Sequence, residues 1–181
     1  MENLFSPWRY AYLTQDKREE GCPFCKVQRG ADERANLVVY RARHNFVILN
    51  LYPYNSGHLM IVPKEHVASP AASSELQRAE MAELTVACEQ VLRETYRPDA
   101  MNLGMNLGRA GGAGIEDHYH LHVVPRWSGD TNFMTVTAGT RVIPEDLRVS
   151  RDRVRAAFVA RLGPDGEEPS PGEGPPVSAG A

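Results

Sequence analysis

Three histidines stand at alternate positions in the run His118-Tyr119-His120-Leu121-His122-Val123-Val124, half of the six histidines in a chain of 181 residues. In an extended strand, successive side chains leave on opposite faces. The spacing therefore puts His118, His120 and His122 on one face, and Tyr119, Leu121 and Val123 on the other as core. Three roles fit such a cluster. Histidines satisfied inside a core are common singly but rare as an alternating triplet. Neutral imidazole is also a common metal ligand. Finally, an imidazole nitrogen is a nucleophile toward phosphorus when an acceptor on its other nitrogen fixes the tautomer.

The residues before the run favour the nucleophile. Asn106-Leu107-Gly108-Arg109-Ala110-Gly111-Gly112-Ala113-Gly114 sets small residues around a single arginine. Without bulky side chains, such a loop lets backbone N–H groups approach phosphate oxygens closely. Glycine-rich turns are common, so the loop gains its meaning from the histidines it leads into. Cys22 and Cys25 are a second candidate, because Cys-x-x-Cys is half of a zinc site by spacing and needs about two more ligands. The plainer reading is a pair of buried thiols. Cys88 falls on an apolar helical stripe and reads as core.

The elements that must position these groups form one α+β pattern. Residues 37–40, 46–49 and 58–62 read as strands, the third ended by Pro63 and preceded by the loop Pro53-Tyr54-Asn55-Ser56-Gly57. Ser73 or Ser74 can cap a helix running to about Tyr96, with Leu76, Met81, Leu84, Cys88, Val91 and Leu92 near helical spacing. Met101–Leu107 and His118–Pro125 read as two more strands, and Val136–Ile143 as a final one. Pro144 suits the start of a helix to about Leu162. Arg148, Arg151 and Arg155 on that helix read as a solvated face, the alternative being contact with a long polyphosphate. The expected fold is an antiparallel sheet with helices packed on it.

Three segments follow: an aromatic arm at 1–20, one domain at 21–162, and a tail at 163–181. The tail is rich in Gly, Pro, Glu and Ser, and its composition predicts disorder. The formal net charge of −3 gives no reason to expect a nucleic-acid partner. No apolar run has the length of a membrane span, and no secretory signal opens the chain. Three cysteines are too few for a disulfide framework, so a reducing cytoplasm is expected.

The run His118–Val124 resembles the histidine-triad (HIT) motif. Cys22-Pro23-Phe24-Cys25, Ser56-Gly57-His58, Val62-Pro63-Lys64 and Val124-Pro125-Arg126 extend the likeness over roughly residues 20–127. The stretch Trp127–Met134 is similar to the diadenosine tetraphosphate phosphorylase branch of that family. The resemblance implies a HIT-like fold, a homodimer and nucleotidyl transfer through a nucleotidyl-histidine intermediate. By resemblance His120 attacks the α-phosphorus, His122 contacts phosphate and supports the leaving group, and His58 orients the site. Asn106 takes a phosphate-binding position. Asn50 stands where the family usually has an acidic residue on the ribose. Some members bind zinc through a set matching Cys22, Cys25, His66 and His118. The chain departs before the triad, where Gly114-Ile115 with one extra loop residue replaces the Gln-Ser of the hydrolases. That leaves backbone N–H groups of Gly112 and of Gly114, Ile115 and Glu116 for the phosphate, with Arg109 as the nearby cation. Trp127 can stack on a base or pack as core or interface.

The implied substrate is an adenine nucleotide or dinucleoside polyphosphate. With inorganic phosphate as acceptor, diadenosine tetraphosphate yields ATP and ADP. The alternatives are a hydrolase of diadenosine polyphosphates or nucleoside phosphoramidates, a non-catalytic zinc-stabilised nucleotide-binding module, and a metallohydrolase with metal on His120 and His122.

Overall fold

The computed structural model describes residues 21–30, 32–130 and 145–166. The arm at 1–20, the strand expected at 136–143, Pro144 and most of the tail lie outside these residues. Described elements, in chain order, are α1 (Pro23–Arg29), β1 (Val38–Arg41), β2 (Asn45–Leu49), β3 (Leu59–Pro63), α2 (Glu75–Tyr96), β4 (Ala100–Met105), β5 (Leu121–Arg126) and α3 (Leu147–Leu162). The strands form one sheet in the order β1-β2-β3-β5-β4, every pairing antiparallel. The fold is α+β, as the pattern of elements predicts.

Every residue of β2 and β3 is buried, which is why residues 46–49 and 59–63 read as unbroken apolar runs rather than alternating ones. Helix α2 packs on β3, β2 and β5. It buries Met81, Leu84, Cys88, Val91 and Leu92, each worth about 2 kcal/mol of apolar transfer. Leu76 departs from the expected stripe and lies 63% exposed. Ser74 is the N-cap: its hydroxyl accepts from the Gln77 N–H, and the Gln77 side chain accepts from the Ser74 N–H. The Glu80 carboxylate pins the β1–β2 turn to this helix by accepting from the backbone N–H groups of Arg43, His44 and Asn45.

The two sheet edges are treated differently. At β1, Arg151 Nε donates to the Val38 carbonyl at 2.8 Å and Arg155 Nη1 to the Val39 carbonyl at 3.3 Å. The solvated-face reading of these arginines is therefore corrected for Arg151, which is buried, and Arg155, which is half-buried; only Arg148 is exposed. Outward carbonyls on an edge strand need donors, and α3 supplies them. Asp146 caps α3, whose first residue is Leu147. The chain after α3 also meets β1: Asp165 accepts from the Arg41 N–H, and the Gly166 N–H donates to the Arg41 carbonyl. At the opposite edge β4 stays exposed along most of its length.

The segment expected as one strand from His118 is paired in the sheet only from Leu121. The Tyr119 N–H instead donates to the Val67 carbonyl in the loop after β3. Helix α1, opening at the Cys-x-x-Cys motif, was not anticipated. It has only seven residues, too few to show a period.

Candidate active site

Side-chain alternation survives where the ladder does not. His118, Tyr119 and His120 are all buried, and Tyr119 is anchored on the opposite side by the Ser73 hydroxyl. His120 stands between its two partners, its ring 4.8 Å from His122 by centroids, while the main chain of His118 holds its Nδ1. Phe24 of α1, which lies between the two cysteines and was given no role in the site, packs edge-on against both His118 and His120.

The hydrogen bonds determine which nitrogen of each ring carries the proton. His118 Nε2 meets the Pro63 carbonyl at 2.8 Å, so it bears hydrogen and Nδ1 keeps the lone pair. His120 Nδ1 meets the His118 carbonyl at 3.0 Å, so it donates and Nε2 keeps the lone pair. His58 Nδ1 receives the Tyr54 backbone N–H at 3.1 Å, with the Asn50 amide nitrogen at 3.5 Å. His58 must then carry hydrogen on Nε2, which it donates to His122 Nδ1 at 3.0 Å. That leaves the His122 proton on Nε2. The three triad rings therefore present, in order, a ligand lone pair, a nucleophilic lone pair and a hydrogen-bond donor. Burial pushes both His118 and His120 below the ordinary histidine range, against the raising effect of their carbonyl bonds. Both are thereby biased to the neutral form, in which an imidazole can serve as ligand or nucleophile.

His58 is fully buried, and Tyr54 stacks on it. Gly57 makes this placement possible: it sits at φ +77°, and a Cβ there would lie 2.9 Å from the Tyr96 ring. The loop is fastened further on by Asn55, which donates to the Pro125 carbonyl and the Asp130 carboxylate. Arg126 grips the same carboxylate through Nε and Nη2 and holds its carboxyl well below the usual range.

On the far side of His120, the ligand atoms of Cys22, Cys25, His66 and His118 lie within 4.8 Å of one another. Cys22 Sγ is 3.4 Å from His118 Nδ1, and Cys25 Sγ is 3.4 Å from His66 Nδ1. A tetrahedral zinc with two sulfur and two nitrogen ligands would set such pairs about 3.6 Å apart. Burial and the neighbouring Cys22 push the Cys25 thiol up, so its thiolate form calls for a cation. These four residues can hold a metal ion. The lone pair of His118 already faces the sulfurs.

Two cavities meet at this site. The larger, about 740 Å³, is walled by apolar residues of α1, the turn before β1, and β2, such as Phe24, Val27, Leu37 and Ile48. It also reaches Asn50, Asn106, Arg109, Gly112, Gly114, Ile115, His120 and His122. Tyr52 and Asn36 are further lining residues that sequence reasoning missed. Glu116 and Trp127 line neither cavity; Trp127 starts a turn whose backbone N–H is held by Asp130. The second cavity, about 600 Å³, shares Tyr54, Asn106, Gly112 and His122 with the first.

Comparison with known proteins agrees with this geometry. The HIT domain family model matches residues 31–129. A Mycobacterium tuberculosis protein named AP-4-A phosphorylase is 39% identical over 159 residues, 83% of this chain and 81% of that protein. Protein hit of Bacillus subtilis is 27% identical, covering 71% of this chain and 88% of its own. The structure also matches the crystal structure of a Zn-bound histidine triad family protein from Mycobacterium smegmatis. That match has a TM-score of 0.63 and 27% identity, covering 77% of this chain and 94% of the other. This chain belongs to the HIT family.

Proposed function

We propose that this protein transfers an adenylyl group through His120, with inorganic phosphate as the preferred acceptor and diadenosine tetraphosphate as the substrate. The observation that carries the reading is the tautomer series: a nucleophilic Nε2 on His120 beside a donating Nε2–H on His122. His120 Nε2 attacks the α-phosphorus and forms the N–P bond. The P–O bond to the rest of the substrate breaks, and the electron pair leaves with the ATP anion. His122 stabilises the leaving oxygen by its hydrogen bond, and the Nδ1–H of His120 stays on the His118 carbonyl. A phosphate oxygen then attacks phosphorus, the N–P bond breaks, and ADP departs with His120 restored.

The larger cavity suits an adenine nucleoside: an apolar wall for the base, with Asn50 placed to accept a ribose hydrogen bond. Asn106, Arg109 and the backbone of Gly112, Gly114 and Ile115 take the phosphate oxygens where charge develops. Cys22, Cys25, His66 and His118 hold a structural zinc, which supplies a cross-link between α1, the loop after β3 and the triad. A homodimer forms along the open edge of β4, where Leu103 and Met105 are exposed on the face away from His122.

Phosphate is favoured over water by the loop before the triad, where Gly114-Ile115 leaves room for a second anion, and by the 39% identity to a protein named for phosphorolysis. Isotopically labelled phosphate tests it. Label recovered in ADP supports phosphorolysis. Unlabelled AMP and ATP, formed at the same rate without phosphate, would make the protein a hydrolase.

A further inference from the structure

The second cavity extends along β4, past the residues it shares with the first. It does not reach His120, and beyond the shared Tyr54, Asn106 and His122 its polar side chains are Asn102 and Arg126. Its floor is β4 and the end of β5. Arg126 is fixed there by Asp130 and donates through Nη1 to the Asn102 side chain at 2.8 Å. Its other wall is the 3₁₀ turn Arg109–Gly111.

The strand register explains why the space exists. Gly104 of β4 is paired directly with His122, and Asn102 with Val124. Cross-strand partners point to the same face, so the position beside the His122 ring is the one without a side chain. A Cβ built on Gly104 would meet nothing within 4 Å, and its φ is outside the left-handed region. Neither strain nor crowding calls for glycine here. What the glycine preserves is open space next to a catalytic imidazole.

We infer that this second cavity receives the leaving nucleotide: the outer phosphates and second nucleoside of a dinucleoside polyphosphate, with Gly104 keeping its entrance open. The inference rests on the adenylyl-transfer reading above. Displacement at phosphorus is in line, so the leaving oxygen departs from the side opposite His120 Nε2. His122 is the donor for that oxygen and belongs to both cavities, so the bond that breaks lies at their shared wall. Whatever is attached beyond that bond continues into the second cavity. The two volumes, about 740 and 600 Å³, are of similar size, as a substrate with a nucleoside at each end requires. The Asn102–Arg126 pair gives the far end groups that can bond to ribose, base or phosphate oxygen.

Equilibrium binding in a His120→Asn background tests this without turnover. AMP needs only the first cavity, and diadenosine tetraphosphate needs both. Adding Gly104→Val should weaken tetraphosphate binding about 30-fold or more and raise the ratio of the two dissociation constants accordingly. Asn102→Phe, two residues farther along β4 from His122, should raise the same ratio where AMP does not reach. An unchanged ratio in both variants, with melting temperatures kept, would overturn the second cavity as the leaving-nucleotide site. Failure of AMP to bind the His120→Asn protein would instead sink the functional reading on which the inference stands.

Discussion

The two ends of the triad are four residues apart and share one residue type, yet they do opposite things. At the His118 end the ring is fully buried, its Nε2–H is tied to a carbonyl, and its lone pair faces two sulfurs. At the His122 end the ring is half-buried beside both cavities, and His58 reverses its proton, giving a donor. The difference comes from what occupies the inner nitrogen, a carbonyl in one case and an N–H in the other. An imidazole has no fixed chemistry until its second nitrogen is assigned. Here the assignments come from β3, the Tyr54 loop and the backbone of the triad itself.

Breaking the centre of this series should have the largest effect. His120→Asn is expected to lower kcat by roughly 10⁴-fold or more while keeping nucleotide affinity and melting temperature. His122→Asn, which removes a donor rather than the nucleophile, should cost about 10²-fold. Steady-state kinetics on both variants would check this. Equal losses would mean that the two rings act as one unit and that the division drawn here is wrong.

The end that can hold a metal should respond in stability rather than chemistry. Purified protein is expected to carry about one zinc per chain. Cys22→Ser should lose it and melt about 10 °C lower, while the folded fraction keeps its chemical step within a few-fold. Metal analysis with thermal melts and single-turnover kinetics measures both halves. Zinc-free protein of unchanged stability would show that the corner is only a pair of thiols.

The smallest effect concerns Asp130, which fastens the Tyr54 loop at the other end. Its carboxyl titrates lower in the folded chain than in the unfolded one. The unfolded chain therefore takes up the proton first, and the stabilisation, full above about pH 4, is lost as pH falls through the folded value. Asp130→Asn should be less stable than wild type at neutral pH, and the gap should close as acid is added below pH ~4. Denaturant unfolding across that range reads it directly; a gap independent of pH would rule out the carboxylate as its source.

Much of the site was legible in the sequence because it rests on short spacings. The alternation from His118 to His122, the Cys-x-x-Cys pair and the cap at Ser74 each lie within a few residues, and five strands fell near their expected positions. What escaped depends on distant partners. Arg151 looks like a surface residue until β1 presents a bare carbonyl 113 positions earlier. Phe24 and Tyr54 touch the histidines only after the sheet has assembled. The start of the triad segment leaves the ladder because the loop after β3 offers the Tyr119 N–H an acceptor, which no local pattern records.

One detail bears on how long an adduct on His120 would live. The partner of its Nδ1–H is a main-chain carbonyl, a dipole without net charge, where many catalytic histidines lean on a carboxylate. An imidazole that has bonded to phosphorus is cationic, and among the described residues no anion is hydrogen-bonded to that ring to neutralise it. The ring keeps its pull on the N–P electrons and remains a ready leaving group. A nucleotide on His120 would thus be held on a bond poised to transfer, and no side-chain substitution at position 118 can remove the carbonyl that would keep it so.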